Sequence, residues 1–213
     1  MKRDKTAVLL NEVHDRLYRV FGECRCPLEH ETPFQLLVAV VLSAQCRDER
    51  VNVATKELFR RYPDVAAMSG ATPDEVGELI RSLGLWRSKA ENIVAFSRIL
   101  MERFAGKVPD NMAELIRLPG VGRKSANAVL GNAFGVPGFP VDTHVQRLMK
   151  HFDHAWDKYT PEQLEKIVNE RIAPEKWTNF SHLLIFHGRR VCHARNPECG
   201  CCVLRDLCSD AGK

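Results

Sequence analysis

The sequence has no long hydrophobic run. Its most apolar stretch, Phe34–Leu42, contains nine residues, whereas a helix that crosses a membrane needs about 20. The first five residues are mostly charged, and no apolar segment of the kind found in secretory signals follows them. We therefore expect a soluble cytoplasmic protein that has no membrane partner and acts as a monomer.

Strand patterns and low-complexity segments are also missing, which argues against a sheet-based fold and against disorder. Helix starts, in contrast, are well marked. A capping residue followed three positions later by Glu or Gln predicts the first turn of a helix, and proline suits its first position. This device occurs at Thr32–Gln35, Thr72–Glu75 and Thr160–Gln163, with a similar box at Asn111–Glu114. We predict an all-α fold of about ten helices, in which residues 34–42 lie in a buried central helix.

Neither sign of charge dominates the chain, because 31 Lys and Arg face 27 Asp and Glu, a net charge of +4. The excess is not spread evenly. Residues 112–151 carry five Lys or Arg and two acidic residues, and residues 186–208 carry four Arg and two acidic residues. This distribution is typical of a face that binds a polyanion, although solvated helix surfaces produce the same pattern.

The segment Leu118–Ala126 reads Leu-Pro-Gly-Val-Gly-Arg-Lys-Ser-Ala. We predict a short helix over residues 112–117, a tight turn, and an apolar helix over residues 125–134, together a helix-hairpin-helix. The glycines would expose backbone amides at the start of the second helix, where N–H groups and the helix dipole bind phosphate. A plain corner between helices also uses Gly and Pro, but the basic pair after the glycines favours DNA. The predicted contacts are Gly120, Val121, Gly122 and Arg123.

Lys124 falls in the first turn of that second helix. The positive end of the helix dipole and the neighbouring Arg123 both disfavour an ammonium there. A neutral amine can attack a sugar C1′ carbon, displace a base and form a Schiff base. The alternative for a lysine in a basic helix is a simple phosphate contact.

Asp142 stands 18 residues further on, in the segment Val141-Asp142-Thr143-His144. It follows a Pro- and Gly-containing stretch and precedes a helix that runs to about His151, so we expect it to be an N-cap. Capping does not exclude catalysis. A carboxylate near Lys124 could accept its proton or stabilise the positive charge that builds on the sugar as the base leaves.

Five of the eight cysteines fall in the last 22 residues, spaced Cys192-x6-Cys199-x2-Cys202-x5-Cys208. In a reducing compartment such a cluster indicates metal ligation. Four thiolates in 17 residues suit a [4Fe–4S] cluster. A structural zinc site is the rival, but zinc ribbons generally have two Cys-x2-Cys pairs and only one is present. Cys201 is an alternative ligand that the spacing disfavours, and Arg195 between the first two ligands would face phosphates.

These motifs together resemble the endonuclease III family of helix-hairpin-helix DNA glycosylases, and the resemblance covers Phe34 to Cys208. It implies a bifunctional enzyme that excises oxidised pyrimidines from damaged double-stranded DNA and then cleaves the strand as an abasic-site lyase. It implies Lys124 as the Schiff-base nucleophile, Asp142 as the essential carboxylate, His144 as a DNA contact and a [4Fe–4S] cluster as cofactor. In a bacterium such a protein would be nucleoid-associated.

Two loops match the family by resemblance alone. Ser43-Ala44-Gln45 is similar to the loop whose glutamine enters the duplex, and Gly84-Leu85 is similar to a second intercalating loop. A base that is flipped out of the stack leaves a hole to be filled, so Gln45 would contact the orphaned base and Leu85 would wedge the stack. Cys46, Arg47 and Trp86-Arg87 depart from the usual family residues, which puts lesion and opposite-base preference in doubt.

The resemblance also implies two domains. We expect a six-helix domain over residues 24–136, which contains the hairpin at about 112–134, and an iron–sulfur domain formed by residues 1–23 together with 137–213. Residues 5–21 are expected to pack against the C-terminal helices. Two other functions stay open here: a monofunctional mismatch glycosylase, in which relatives have no lysine at position 124, and a non-catalytic iron–sulfur module that binds DNA.

Overall fold

The helices begin where the capping signals predict. The Thr32, Thr72 and Thr160 hydroxyls accept hydrogen bonds from the backbone N–H three residues on, at 3.2, 3.3 and 3.3 Å. Asn111 does the same for Glu114 at 3.0 Å. The computed structural model describes residues 4–211. Its α-helices are α1 Lys5–Phe21, α2 Pro33–Leu42, α3 Asp48–Arg61, α4 Val65–Ser69, α5 Pro73–Leu79, α6 Trp86–Phe104, α7 Met112–Leu115, α8 Arg123–Ala133, α9 Thr143–Phe152, α10 Pro161–Asn169 and α11 Trp177–Arg190.

The prediction of an all-α fold is confirmed for residues 4–211, which contain eleven α-helices, three short 3-10 turns and no strand. The 3-10 turns are His154–Trp156, Pro174–Lys176 and Arg205–Leu207. None of the described helices is both long enough and apolar enough to span a bilayer. The described chain divides into two units, Cys26–Val136 and the remainder on either side of it.

The unit Cys26–Val136 is built around α2. Every residue from Phe34 to Leu42 is buried, and α2 packs against α3, α6 and α8. The predicted central helix is therefore confirmed. The unit holds seven α-helices, one more than the six expected, because Val65–Ser69 forms a separate five-residue helix capped by Asp64. The polar segments that matter for function lie at the ends of the helices around this core.

The other unit joins the N-terminal helix to residues 137–211. As predicted, α1 packs against α11, and its buried residues Leu10, Val13 and Leu17 share a core with Phe180 and Leu184 of that helix. Ion pairs reinforce the packing. Arg16 contacts Asp206 at 2.5 Å and Arg171 contacts Asp4 at 3.0 Å. Both ends of the described chain are thus held in one unit.

Candidate active site and nucleic-acid interface

The predicted hairpin is present, with shifted helix ends. The first helix stops at Leu115 rather than at residue 117, because Ile116 caps it and the chain then turns through Leu118, whose N–H donates to the Leu115 carbonyl at 3.1 Å. The second helix starts at Arg123, two residues earlier than predicted. Lys124 therefore occupies the second helical position of α8, in the first turn as expected.

Gly120 is the position in the turn that requires glycine. Its φ is +75°, in the left-handed region, and a Cβ there would stand 2.8 Å from Nδ2 of Asn92 on α6. Val121 next to it is 5% exposed, and its N–H donates to the Leu118 carbonyl at 3.1 Å. The side chain and the amide of Val121 thus anchor the turn, and the DNA contact predicted for this residue stays a prediction.

The N-terminus of α8 is open. Gly122 is its N-cap and supplies no side-chain cap, so the first N–H groups of the helix lack the partner that a capping side chain would give. Arg123 and Lys124 are both exposed at this end. An uncapped helix start with a basic pair beside it can bind a phosphate group.

In the other unit Asp142 is the N-cap of α9, as predicted. Its Oδ1 accepts hydrogen bonds from the N–H groups of His144 and Val145, both at 2.9 Å. The second carboxylate oxygen takes no part in this cap. The preceding segment is fixed by α11, since the Ser181 hydroxyl donates to the Pro140 carbonyl at 2.6 Å. Asp142 is thus held by the N-terminus of α9 and, through the neighbouring Pro140, by α11.

Arg147 ties this helix to the start of the cysteine segment. Its guanidinium Nη2 donates to the Cys192 carbonyl at 2.6 Å and to the Gly188 carbonyl at 3.1 Å, and lies 3.3 Å from His144 Nδ1. Burial lowers the pKa of His144, against the opposing effect of Asp142. Sequence reasoning missed Arg147, because nothing in the sequence links α9 to a carbonyl 45 residues away.

The four motif cysteines converge on one cavity. The cavity is lined by Cys192, Cys199, Cys202 and Cys208 together with three apolar residues, Glu198 and Arg205. Burial raises the pKa of the Cys192 and Cys202 thiols. Cys201 does not line it: this residue is exposed, with Sγ 3.4 Å from the Glu198 carbonyl oxygen. Cys202 rather than Cys201 therefore faces the other three cysteines.

The four thiols are not gathered around one point. Among residues 4–211, no three His, Cys, Asp or Glu side chains stand close enough together to hold a single metal ion. His187 borders the site: it is 2% exposed, burial lowers its pKa to about 4, and its Nε2 lies 3.4 Å from Cys202 Sγ.

Both predicted insertion residues have strained backbones. Gln45 has φ +56° and Leu85 has φ +59°, and a left-handed conformation is unusual for side chains of this size. Both side chains are exposed, Leu85 to 60% despite being apolar. Backbone strain of this kind recurs at functional sites, and the described chain also has it at Ala105 and Asn196.

Trp86, one of the departures from the family, has a structural explanation. Its ring packs on Gly77 of α5, where a Cβ would stand 2.7 Å from ring atom Cζ3. The Arg87 guanidinium lies 4.2 Å from the centroid of the same ring. The Trp86 side chain is thus used within its own unit. Arg195, the contact predicted in the cysteine segment, is exposed.

Comparisons with known proteins agree with this geometry. The family model of the HhH-GPD superfamily base excision DNA repair proteins matches residues 38–174. The chain is 48% identical to endonuclease III of Synechocystis sp. (strain ATCC 27184 / PCC 6803 / Kazusa), over 92% of this chain and 89% of that protein. It is 45% identical to endonuclease III of Escherichia coli (strain K12), over 85% of each.

A solved structure of a trapped endonuclease III–DNA covalent intermediate is similar to the whole chain, with a TM-score of 0.92, 40% identity and 96% of both chains covered. A thermostable thymine-DNA glycosylase, at 22% identity and a TM-score of 0.85, shares the fold. The family model, the identities and the structural likeness to the DNA complex agree with one another. The chain therefore belongs to the HhH-GPD superfamily of base excision DNA repair proteins and, within it, to the endonuclease III family of DNA glycosylase/abasic-site lyases.

Proposed function

We propose that this DNA glycosylase/abasic-site lyase excises oxidised pyrimidines from damaged duplex DNA as a monomer, with Lys124 as its nucleophile. The observation that carries the proposal is the position of Lys124, exposed in the first turn of a helix whose N-terminus is uncapped. That end of the helix disfavours an ammonium and attracts phosphate. The lysine amine is thereby brought to a DNA backbone, where it can react with a sugar carbon.

In the proposed reaction the lone pair of Lys124 Nζ forms a bond to C1′ of the damaged nucleotide. The N-glycosidic bond breaks, and the base leaves with the bonding electrons and takes up a proton. Loss of a proton from nitrogen and opening of the sugar give a Schiff base. Removal of a C2′ proton then expels the 3′ phosphate by β-elimination, and water releases the lysine.

Asp142 is proposed to supply the negative charge for these steps. Its Oδ1 is used by the helix cap, which fixes the carboxylate and leaves Oδ2 outside the cap. A fixed carboxylate can accept the lysine proton and stabilise the cationic sugar as the base departs. The cap and the catalytic role are compatible because they use different oxygens.

The DNA contacts of Gly120, Gly122, Arg123 and Arg195 are proposed from exposure, and that of His144 from its position in the first turn of α9. The amides of Gly120 and Gly122 and the guanidinium of Arg123 would bind the backbone at the hairpin, and Arg195 and His144 would contact phosphates in the other unit. Gln45 would face the orphaned base, and Leu85, 60% exposed, would enter the stack. Extrusion of the damaged base leaves the gap that such side chains fill.

We propose that Cys192, Cys199, Cys202 and Cys208 hold a [4Fe–4S] cluster, because all four line one cavity and such clusters are held by four cysteine thiolates. When bound, the cluster would link four thiolates into one rigid unit. The Cys192 carbonyl accepts a hydrogen bond from Arg147 of α9. The cysteine segment thereby fixes α9, the helix that Asp142 caps.

The test uses duplexes with defined oxidised pyrimidines, with base release and strand nicking assayed separately. We expect Lys124→Ala to lower both by more than about a hundredfold, because the nucleophile is common to both. Asp142→Asn should lower base release while DNA binding is retained. Lys56→Ala, a change at a lysine that is 69% exposed on α3, is the matched control. Base release without nicking in the unaltered enzyme would instead favour a monofunctional glycosylase.

A further inference from the structure

Lys89 is a buried lysine that the catalytic proposal does not use. It lies on α6 and is 4% exposed, on the same face as the buried residues Ile93, Phe96 and Leu100. Among residues 4–211 no carboxylate forms an ion pair with it; its partners are two carbonyls and one thiol. A buried ammonium without a counter-ion is costly, so its presence calls for a compensating role.

All three partners of the ammonium lie in the short segment Leu42–Cys46, which comprises the last residue of α2 and the loop that follows it. Lys89 Nζ donates to the Leu42 carbonyl at 2.8 Å and to the Ala44 carbonyl at 2.7 Å, and lies 3.4 Å from Cys46 Sγ. Helix α2 ends at Leu42, and the last carbonyls of a helix lack partners and carry the negative end of its dipole. The lysine charge therefore satisfies these carbonyls and holds the chain that follows them.

Gln45 lies within the segment that Lys89 holds. Its left-handed backbone, φ +56°, costs roughly 1–2 kcal/mol for a residue with a side chain and persists only if the neighbouring residues are fixed. Lys89 bonds the residues on either side of it, Ala44 and Cys46. The anchored flanks leave the Gln45 side chain pointing out of the loop and exposed.

The backbone of Lys89 contacts the second strained loop. Its N–H donates to the carbonyl of Leu85 at 3.0 Å, in the first turn of α6, where Leu85 is the N-cap with φ +59°. One residue therefore joins the loop of Gln45 through its side chain and the loop of Leu85 through its backbone. The loop of Gln45 and the loop of Leu85 are therefore both attached to Lys89.

We propose that Lys89 is a positioning residue that fixes Gln45 relative to Leu85 and thereby determines how the enzyme discriminates the base opposite the lesion. The inference rests on the insertion roles proposed for those two residues. Cys46, a departure from the usual family residue, belongs to the same contact set, with its Sγ 3.4 Å from Lys89 Nζ.

The test is a double-mutant cycle with Lys89→Met, which keeps the length and apolar stem of the side chain, and Gln45→Ala. Single-turnover base release is measured with each of the four bases opposite the lesion. We expect Lys89→Met to lower the rate about tenfold and to change the ratio among opposite bases toward that of Gln45→Ala. In the Gln45→Ala background most of this effect should disappear, because coupled residues are not additive.

Three controls separate this inference from its alternatives. Lys56→Met removes an exposed charge from the same unit and should change nothing. Borohydride trapping on a preformed abasic site reports on Lys124 alone and should survive Lys89→Met, so its loss in Lys124→Ala tests the catalytic proposal separately. If Gln45→Ala itself has no effect, the insertion role of Gln45 fails and the proposal for Lys89 is overturned with it, while trapping on Lys124 stays intact.

Additive effects with an unchanged ratio among opposite bases would overturn the proposal and make Lys89 a packing residue. Should Lys89→Met fail to fold, Lys89→Arg keeps a charged donor but displaces the loop. We expect that variant to fold and to shift the opposite-base ratio at least about threefold. An unchanged ratio in folded Lys89→Arg would equally overturn the proposal.

Discussion

Leu85 combines two features that stability alone would not favour: an apolar side chain that is 60% exposed and a left-handed backbone. Ala105, at the opposite end of α6, is also exposed and also has a left-handed backbone, with φ +50°. The two residues flank the same helix. They differ in that Leu85 is proposed to enter DNA and Ala105 is not.

Replacing Leu85 with glycine is expected to separate stability from activity. Glycine adopts positive φ without the side-chain penalty of roughly 1–2 kcal/mol. It also makes the unfolded chain more flexible, which lowers the free energy of unfolding by about 0.4–1 kcal/mol. Leu85→Gly should therefore leave the free energy of unfolding equal or raised by up to about 1 kcal/mol, while base release falls at least about tenfold. Denaturant unfolding and single-turnover excision measure the two quantities.

Ala105→Gly is the matched control, because it relieves the same kind of strain at the C-terminal end of α6. It should give a similar change in unfolding free energy with unaltered base release. Equal loss of activity in both variants would show that α6 itself, rather than the Leu85 side chain, governs catalysis.

Single residues also show what the sequence can and cannot predict. The N-cap role of Asp142 follows from local sequence and is confirmed. The burial of Lys89 could be inferred from the sequence, because it stands four residues before Ile93 and so shares the buried face of α6. Its partners lie more than 40 residues away, and contacts of that kind depend on tertiary packing that local sequence does not encode.

At the scale of elements, the hairpin depends on how closely its turn approaches α6. Gly120 has positive φ, and a Cβ there would stand 2.8–3.0 Å from three atoms of Asn92. At Gly122 nothing lies within 4 Å of an added Cβ, and its φ is −90°. The two glycines of one motif therefore have different physical requirements.

Gly120→Ala is expected to lower the free energy of unfolding by about 1–3 kcal/mol, from backbone strain and the displacement of Asn92. Gly122→Ala should lower it by less than about 1 kcal/mol, since alanine is only a poorer N-cap than glycine. Denaturant unfolding of the two variants checks this order. A larger loss for Gly122→Ala would contradict the account of the turn.

Element ends were predictable where a capping side chain marks them and not elsewhere. Thr72 and Thr160 form complete capping boxes with Glu75 and Gln163, and those helices start as predicted. The start of α3 follows Arg47, which provides no side-chain cap, so no capping residue marks that start. The hairpin's first helix ends early because the Leu118 turn begins before Pro119 is reached.

At the scale of the whole molecule, each of the two units has its own hydrophobic core. The cysteine segment belongs to the unit that α1 and residues 137–211 form. Cluster ligation should therefore stabilise that unit selectively. Fold class and family could be read from the sequence because caps and cysteine spacing are local, whereas the Arg147 link between α9 and Cys192 could not.

Cys202→Ser is expected to lose the visible absorbance of the cluster and to raise amide hydrogen exchange in α9 and α11 by about tenfold or more, while α2 and α6 of the other unit keep their protection. Cys201→Ser is the control: this thiol is exposed and lies outside the cavity, so its loss should leave absorbance and exchange unchanged. The reverse result would assign the ligand to Cys201.

The most direct measurement of the central claim is to locate the covalent bond. The enzyme is incubated with duplex DNA containing an oxidised pyrimidine, the Schiff base is reduced with borohydride, and the adduct is mapped by peptide mass spectrometry. We expect one modified residue, Lys124, and no adduct in Lys124→Ala. An adduct on another lysine, or the same yield of adduct in Lys124→Ala, would contradict the central claim.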